Sequence, residues 1–268
     1  MLVHIIADYG AGDLAFAEVV QRISLHLPDA EPVLLPVPPF ATIAAGFCIA
    51  QLGLNEAPAG AIVYHNVAPR EDDERARSGN EGERLAYARL PTGVRVIGVN
   101  AGHAFSFIRD AALELRWASV AAEGSQFRSR DLFPQAAAAI ALGRPEALAG
   151  EVDRSAVPDI PPNCVAYVDG YGNIKTTIPD DRKGEASGSL ARVWVGEIEA
   201  EAHSSDGSFA VEPGELAFAP GSSGWNDPSG RRVRWMELFL RGGSAWERLG
   251  RPAVGTPITV LKHYSPAP

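Results

Sequence analysis

Residues 2–13 read LVHIIADYGAGD, and this stretch decides how the first half of the chain is interpreted. The residues from Leu2 to Ile6 are apolar and partly β-branched, which is typical of a short buried strand. A turn is expected from Ala7 onward, and Asp13 can cap a following helix because its carboxylate accepts from free amides of the first helical turn. The stretch therefore predicts a strand, a turn and the start of a helix.

The same alternation continues outward from this stretch. Apolar residues recur at helical spacing at Phe16, Val19 and Ile23. Similar patterns predict helices at 14–27, 42–54 and 133–142, strands at 32–37, 61–64 and 94–99, and a charged, solvated loop and helix within 70–89. Alternating strands and helices predict an α/β domain over residues 1–158 with a mostly parallel sheet.

The second half of the chain changes character after a proline-containing linker at residues 160–162. Short strand-like runs alternate there with Gly, Asn, Asp and Pro turns, at 165–168, 174–178, 191–198, 216–219, 233–240 and 258–261. Such spacing predicts a smaller all-β domain over residues 159–268, either a barrel or a sandwich.

Composition and charge exclude several classes of protein. Of the 268 residues, 46% are hydrophobic and 21% charged, which suits a soluble chain with apolar cores. The net charge of -9 argues against nucleic acid as a partner, because phosphate binding needs a basic face. No signal peptide is expected, and no apolar run approaches the ~18 residues of a membrane helix. We therefore expect a cytoplasmic protein that contacts no membrane.

The cysteines and histidines give no indication of a metal site. Cys48 and Cys164 are far apart in apolar surroundings, and packing in a reducing compartment is the expected role of both. The six histidines form neither HxH, HExxH nor a Cys/His cluster. We expect no metal and no bound cofactor.

Two turns carry side chains suited to a nucleoside. A carboxylate at Asp8 can accept hydrogen bonds from both vicinal hydroxyls of a ribose; the alternative is that Asp8 only stabilises its turn. In the turn at 169–173, Asn173 can read an adenine edge, Tyr171 can stack on a base, and Asp169 can pair with an ammonium group. The alternative for this second turn is a simple hairpin.

Further polar residues follow predicted strands. His65 and Asn66 come after one strand, and Asn100 to His103 come after another. Because the carboxyl ends of parallel strands meet at one edge of a sheet, we expect these residues to share a rim with Asp8.

Two later segments have ligand-binding interpretations as well. Glycines in 221–225 and 236–245 can expose backbone amides to a base or a carboxylate. In 126–133, which reads QFRSRDLF, Asp131 can cap the next helix and Arg130 can pair with a carboxylate. The alternatives are two ordinary β-turns and a capped helix with surface arginines.

Taken in order, these segments resemble the S-adenosylmethionine hydroxide adenosyltransferase family, which includes the fluorinases and chlorinases. Residues 7–10, ADYG, are similar to the family's Thr-Asp-Phe-Gly turn, and residues 126–131 match in part its Thr-Phe-His-Gly-Arg-Asp segment. Residues 168–178, VDGYGNIKTTI, are similar to its Ile-Asp-x-Phe-Gly-Asn-x-x-Thr-Asn-Ile hairpin. Residues 237–239 and 243–245 stand where the family has Glu-Ile-Ala and Gly-Asn-Ala, so the resemblance covers nearly the whole chain.

The resemblance implies a homotrimer in which the α/β domain of one subunit and the β-barrel domain of its neighbour enclose S-adenosylmethionine. A nucleophile attacks the ribose C5′ and methionine leaves; where the nucleophile is water, the products are adenosine and methionine. S-adenosylmethionine is then the substrate and not a cofactor. The implied substrate-binding residues are Asp8, Tyr9, Asn66, Asp169, Tyr171, Asn173, Ser223, Trp225, Glu237, Ser244 and Ala245.

The chain departs from the family pattern where the family holds its attacking water. Residues 64–70, YHNVAPR, replace a Val-Asp-Pro-Gly-Val-Gly segment and lack its Asp, and Arg128 replaces the family's histidine. His65, Arg70 and Arg128 are therefore the candidate catalytic residues, with His103 as another candidate for positioning water. His65 is equally consistent with a simple polar residue at a strand end.

The sequence favours hydrolysis of S-adenosylmethionine and leaves two alternatives open. In one, the protein is catalytically silent and binds S-adenosylmethionine or adenosine. In the other, the same pocket takes another nucleoside. Halide is the least favoured nucleophile, because no feature of the sequence indicates a halide pocket.

Overall fold

The computed structural model describes residues 1–69, 82–121, 124–181 and 189–261. The chain divides into two compact units, Met1–Asp159 and Ile160–Pro268. Within the described ranges, no helix is both long enough and apolar enough to cross a membrane.

The first unit is built on a seven-stranded sheet. Its strands within the described residues are β1 (Leu2–Ala7), β2 (Glu31–Pro36), β3 (Ile62–Asn66), β4 (Leu85–Arg89), β5 (Arg95–Val99), β6 (Glu114–Ala118) and β7 (Leu148–Glu151). Its helices there are α1 (Leu14–His26), α2 (Thr42–Gly53), α3 (Arg128–Asp131) and α4 (Phe133–Ala141). The Asp13 carboxylate accepts from the Ala15 amide at 2.7 Å, which confirms the predicted cap of α1.

The first sheet is mixed, and the prediction of a mostly parallel sheet over residues 1–158 was wrong. Its strand order is β2-β1-β3-β5-β4-β6-β7; the pairs from β2 to β5 are parallel and those from β5 to β7 are antiparallel. The charges of residues 70–89 concealed β4, whose first four residues are buried. The Leu90 amide donates to the Val94 carbonyl in a tight turn between β4 and β5, and so short a connection allows only antiparallel pairing.

The second unit is built on another seven-stranded sheet, with the order β14-β10-β11-β12-β13-β9-β8. Its elements within the described residues are β8 (Val165–Val168), β9 (Ile174–Pro179), β10 (Leu190–Val195), β11 (Ile198–Ser204), β12 (Leu216–Asn226), β13 (Arg232–Leu240), α5 (Ala245–Arg248) and β14 (Ile258–Leu261). β11 and β12 are parallel, and the other neighbours are antiparallel.

The predicted contrast between an α/β domain and a smaller all-β domain was also wrong. The described residues form two seven-stranded mixed sheets, one of them a curled half-barrel, with few helices. Within the second unit, the run 191–198 was interpreted as a single strand. It contains all of β10 except its first residue, a turn, and the first residue of β11. Gly196 in this turn has φ of 60°, a conformation that favours glycine, so the run is the bend of a hairpin.

Candidate functional site

A cavity of about 320 Å³ opens at the carboxyl ends of the parallel strands of the first unit. β1 ends just before Asp8, β3 ends at Asn66 and β5 ends at Val99, and these ends adjoin because the strands are parallel neighbours. Residues that precede β4 and α4 complete the wall of the cavity. The full lining consists of Asp8, Tyr9, Asn66, Ala68, Gly82, Glu83, Val99, Gln126, Phe127, Arg128, Ser129 and Phe133. Four residues predicted as binding or catalytic therefore surround one cavity.

Asp8 is held from the loop that follows β2. The Phe40 amide donates to Asp8 Oδ2 at 3.1 Å. Phe40 has φ of 62°, the left-handed region, which costs a non-glycine residue about 1–2 kcal/mol. The hydrogen bond to Asp8 compensates part of this strain and fixes the carboxylate at the rim of the cavity.

Tyr9 and Asn66 are joined in a hydrogen-bonded chain that continues to Ser129. Asn66 Nδ2 donates to Tyr9 Oη at 3.0 Å, and Tyr9 Oη lies 2.7 Å from Ser129 Oγ. Tyr64 donates from its hydroxyl to the Ser129 carbonyl at 2.7 Å. Burial raises the pKa of Tyr64 well above its usual value, so it remains a protonated donor.

Arg128 enters the cavity wall from α3. It is buried, it donates from Nη2 to the Glu83 carbonyl at 2.9 Å, and its guanidinium lies 5.2 Å from the centre of the Phe133 ring. A methyl group at Gly82 would lie 2.4 Å from Nη2, so a larger residue there would displace the guanidinium. The cavity thus combines a carboxylate, neutral hydroxyl and amide groups, and a guanidinium.

The short helix α3, which carries Arg128, is held by ion pairs of Arg130. Arg130 bonds to Glu18 at 3.0 Å and to Asp131 at 2.7 Å, so carboxylates of the protein itself are its partners. Hydrogen bonds from Arg130, and from Ser125, lower the pKa of Asp131 to about 2. The predicted cap by Asp131 was wrong, because Leu132 stands at the N-cap of α4 and no side chain caps that helix.

The other candidates for positioning water lie elsewhere. His65 is fully buried, its ring centroid lies 5.4 Å from that of Phe105, and neither of its nitrogens has a hydrogen-bond partner among the residues that the structure describes. Burial lowers its pKa to about 3. The ring of His103 contacts the Asp159 carbonyl, and its residue is not in the cavity lining. Arg70 lies outside the described residues.

In the second unit, Asp169 organises the predicted hairpin. Its Oδ1 accepts from the amides of Tyr171 and Asn173 at 2.9 and 3.0 Å, and its Oδ2 accepts from Asn173 Nδ2 at 3.0 Å. The Tyr171 side chain is 84% exposed, so its ring is available for stacking. Asp169 therefore stabilises its own turn, as the alternative interpretation expected, and it holds Asn173 in a defined orientation.

A buried ion pair links this hairpin to β13. Lys175 Nζ lies 2.9 Å from Glu237 Oε2 and 3.7 Å from Asp169 Oδ2, and the Glu237 side chain is only 1% exposed. The Ser223 amide donates to Glu237 Oε1 at 3.4 Å. A methyl group at Gly221 would lie 1.7 Å from the same oxygen. Two of the predicted segments therefore meet at Glu237.

The last predicted residues also contact the hairpin or the interior of the second unit. Ser244 accepts from the Glu247 amide at 3.1 Å, and a methyl group at Gly172 would lie 2.0 Å from Ser244 Oγ. Ala245 is fully buried beside it. Trp225 is 4% exposed, and its ring lies 5.6 Å from the ring of Trp235, so it packs inside its own unit.

Sequence reasoning missed Ser129 and Lys175. Ser129 was present in the quoted segment QFRSRDLF, and its place beside Arg128 was the available signal. Lys175 was a single cation in a strand of apolar and hydroxyl residues, and only the pairing of β9 with β13 reveals its partner. Among the described residues, no group of three or more His, Cys, Asp and Glu side chains is arranged to hold a metal ion.

Comparison with known proteins identifies similar folds without a function. The chain matches no protein-family model and no curated protein. It is similar to the crystal structure of an uncharacterized conserved protein from Thermotoga maritima, with a TM-score of 0.75 and 19% identity over 97% of this chain and 100% of that one. It is also similar to a conserved hypothetical protein from Thermus thermophilus, with a TM-score of 0.65 and 22% identity over 97% of this chain and 99% of that one. At these identities the likeness concerns the fold alone.

Proposed function

We propose that the protein binds S-adenosylmethionine and hydrolyses it to adenosine and methionine by water attack at the ribose C5′. The observation that carries the proposal is the cavity of the first unit, whose lining includes Asp8, Tyr9, Asn66 and Arg128. Its volume of about 320 Å³ is within the range of small-molecule sites. These residues come from three separate segments of the sequence; those of Asp8 and Arg128 belong to the motif order that resembles the family, and that of Asn66 stands where the chain departs from it.

The chemistry of the lining suits a nucleoside with a charged leaving group. The Asp8 carboxylate supplies acceptors for the two ribose hydroxyls, and the Tyr9 ring supplies an aromatic edge. A sulfonium is already a good leaving group, so the protein has mainly to align the nucleophile with the C5′–S bond and exclude other water. Positioning of this kind needs no metal.

In the proposed function, residues of the second unit make the remaining contacts with the ligand. Asn173 is oriented by Asp169, and Tyr171, which stands between them in the sequence, has an exposed side chain. An amide can recognise an adenine edge, and an aromatic ring can stack on a base. The homotrimer implied by the resemblance, with inter-subunit sites, is part of the proposal.

The test is an incubation of the purified protein with S-adenosylmethionine, followed by chromatography of the products. We expect adenosine and methionine in equal amounts above the uncatalysed rate. Asp8→Asn should weaken binding, because it removes charge from the acceptor for the ribose hydroxyls, whereas Glu56→Gln removes one exposed charge outside the cavity lining and serves as the matched control. No adenosine above background would remove the catalytic part of the proposal.

A catalytically silent binding protein is the second candidate, and Arg128 is the observation that favours it. A guanidinium stands where the family has a histidine. Calorimetry that shows binding of S-adenosylmethionine with no turnover would select this candidate. If neither S-adenosylmethionine nor adenosine raises the melting temperature at saturation, that result favours another nucleoside as the ligand, because a ligand of the native state must stabilise it.

A further inference from the structure

Another cavity lies in the second unit, where β11 and β12 separate. Among the described residues the two strands pair only over 203–204 and 217–218. Just before β12 the main chain bonds to the residue after β13 instead, because the Gly214 amide donates to the Arg241 carbonyl at 2.8 Å. The resulting β11–β12 cleft has a volume of about 450 Å³ and is lined by Leu190, Glu199, Ala200, Glu201, His203, Gly214, Glu215, Leu216 and Arg248.

Within this cleft the main chain of β11 has an open edge. β10 and β11 form a hairpin with a two-residue turn at 196–197, and the pair that closes such a turn is hydrogen-bonded. Hydrogen-bonded and non-hydrogen-bonded pairs alternate along an antiparallel ladder, so Glu199 and Glu201 direct their amides and carbonyls away from β10. The Ser204 amide donates to the Ser189 carbonyl at 2.7 Å, which agrees with this alternation. In the part of the chain that the structure describes, no strand pairs with Glu199 or Glu201 on that side.

The side chains along this edge are mainly acidic. Glu199, Glu201 and His203 alternate along β11 and therefore project from one face of the sheet. Glu199 pairs with an arginine of β10 at 3.0 Å, whereas Glu201 has no ion-pair partner among the described side chains. Glu215, just before β12, lies 3.5 Å from His203 Nε2. Three carboxylates thus line the cleft against one guanidinium, that of Arg248.

The charges decide which strand can pair with this edge. Proteins protect open edges with charged side chains, and this is the simplest role of Glu199 and Glu201. Like charges directly opposite each other destabilise a sheet, and opposite charges stabilise it. A strand with lysine or arginine at alternate positions therefore pairs favourably with β11, whereas an acidic strand is repelled. The net charge of -9 attracts a basic partner at longer range.

We infer that the β11–β12 cleft binds an extended basic segment of a partner protein, which adds to the open edge of β11 as a further strand. Main-chain hydrogen bonds with Glu199 and Glu201 supply affinity, and the two carboxylates select lysine or arginine at alternate positions. The inference is independent of the proposed function, and its test uses no S-adenosylmethionine.

The test is a titration of a short fluorescein-labelled peptide, in which lysine and valine alternate, with the wild-type protein, followed by fluorescence anisotropy. We expect saturable binding, and none by the same peptide with glutamate in place of lysine. Glu201→Gln should raise the Kd about threefold, and Glu199→Gln combined with it about tenfold, because each change removes one cross-strand charge pair. Glu56→Gln removes the same charge from the first unit and should leave the Kd unchanged.

Two further peptides separate strand addition from attraction by charge alone. N-methylation of either the lysine amides or the valine amides keeps the charge and removes alternate hydrogen-bond donors. At least one of the two methylated forms should bind about tenfold more weakly than the parent peptide, because the donors that face β11 are lost. If both bind as tightly as the parent peptide, charge alone holds it and the inference is overturned.

The remaining outcomes also decide the inference. Absence of binding by the wild-type protein overturns it. An unchanged Kd in the double variant places the peptide elsewhere on the protein and overturns it too. Self-association of the protein that disappears in the double variant would assign the edge to a second copy of the chain, with the same consequence. Melting temperatures of all variants check that they fold.

Discussion

At the scale of single residues, His65 shows how a polar side chain can be buried without any visible function. It has no exposed surface and no hydrogen-bond partner among the described residues. A methyl group at Gly98 would lie 2.0 Å from the imidazole, so the neighbouring strand accommodates the ring only because that position is glycine. The imidazole is therefore neutral in the folded protein, and its burial has a thermodynamic cost that depends on pH.

We expect His65 to make the protein sensitive to acid. Its pKa is about 3 when folded and 6.5 in its unperturbed state, so the unfolded chain binds the additional proton below pH 6.5. The free energy of unfolding is therefore unaffected above that pH and falls by about 1.4 kcal/mol per unit as the pH drops towards 3. His65→Leu should reduce this slope, measured from urea midpoints between pH 7.5 and 4.5.

Phe105→Leu is the matched control for the acid experiment, because it changes the packing beside His65 and does not titrate. It should lower the free energy of unfolding by the same amount at every pH. An unchanged pH slope in His65→Leu would show that other groups cause the acid sensitivity.

Gly221 is a second position where a neighbouring side chain leaves room only for glycine. A methyl group there would lie 1.7 Å from Glu237 Oε1 and 1.9 Å from the carboxyl carbon. Gly221→Ala should displace that carboxylate from Lys175 and destabilise the second unit by about 1–3 kcal/mol in denaturant unfolding. Gly207→Ala, at a glycine with open space around it, should change the midpoint little. Equal midpoints for the two variants would contradict the steric argument.

At the scale of elements, the pairing of β9 with β13 brings Lys175 and Glu237 together. Lys175 and Glu237 are directly opposite in register, and the pair is almost fully buried. The strands themselves were recognisable from their apolar runs. Their register was not, because short strands offer many pairings of similar pattern. For that reason Glu237 could be proposed as a ligand contact while its ion pair went unnoticed.

Lys175 and Glu237 should be strongly coupled in a double-mutant cycle. Lys175→Met leaves a buried carboxylate uncompensated and should cost about 3–5 kcal/mol. Glu237→Gln alone should also destabilise, whereas the double variant should cost less than the sum of the two because no unpaired charge remains buried. Denaturant unfolding measures all three values. Additive costs would mean that the ion pair contributes little to the pairing of the strands.

The elements of the first unit show the same limit of prediction. Asp8 and Asn66 were placed at one rim because each follows a predicted parallel strand, and the structure brings both to the cavity. The antiparallel strand β4 was missed because its flanking charges resemble a solvated loop. Ser129 was missed because its importance comes from a contact with Tyr9, 120 residues away, which no local pattern records.

At the scale of the whole molecule, the proposed function requires three chains to assemble around shared sites. A homotrimer with inter-subunit sites has three times the chain mass of 28.4 kDa, which sedimentation would detect. The two sets of ligand-binding residues would then be separable by genetics, because each site takes one set from each of two subunits.

Mixed assemblies test this arrangement. Asp8→Asn impairs the first-unit residues, and Asn173→Ala impairs the second-unit residues. At S-adenosylmethionine concentrations well below saturation we expect each variant alone to release adenosine much more slowly than the wild-type protein, and co-expressed chains to recover part of the wild-type release, since some sites then receive two intact halves. Co-expression of Asp8→Asn with Asn66→Ala should give no recovery, because both changes lie in the same unit. Absence of recovery in the first mixture would contradict the shared sites.

The strand order of the first sheet has a consequence for how the chain is made. β2, β1 and β3 can pair as soon as they are synthesised, but the outer edge of β3 waits for β5, whose last residue comes roughly thirty positions later. At ribosomal rates of about 5–20 residues per second, that edge stays open for roughly 1.5–6 s. An open edge is a template for pairing with other chains. The tight β4–β5 hairpin adds almost nothing to this exposure, because it forms within about 1–10 μs and can dock as one piece.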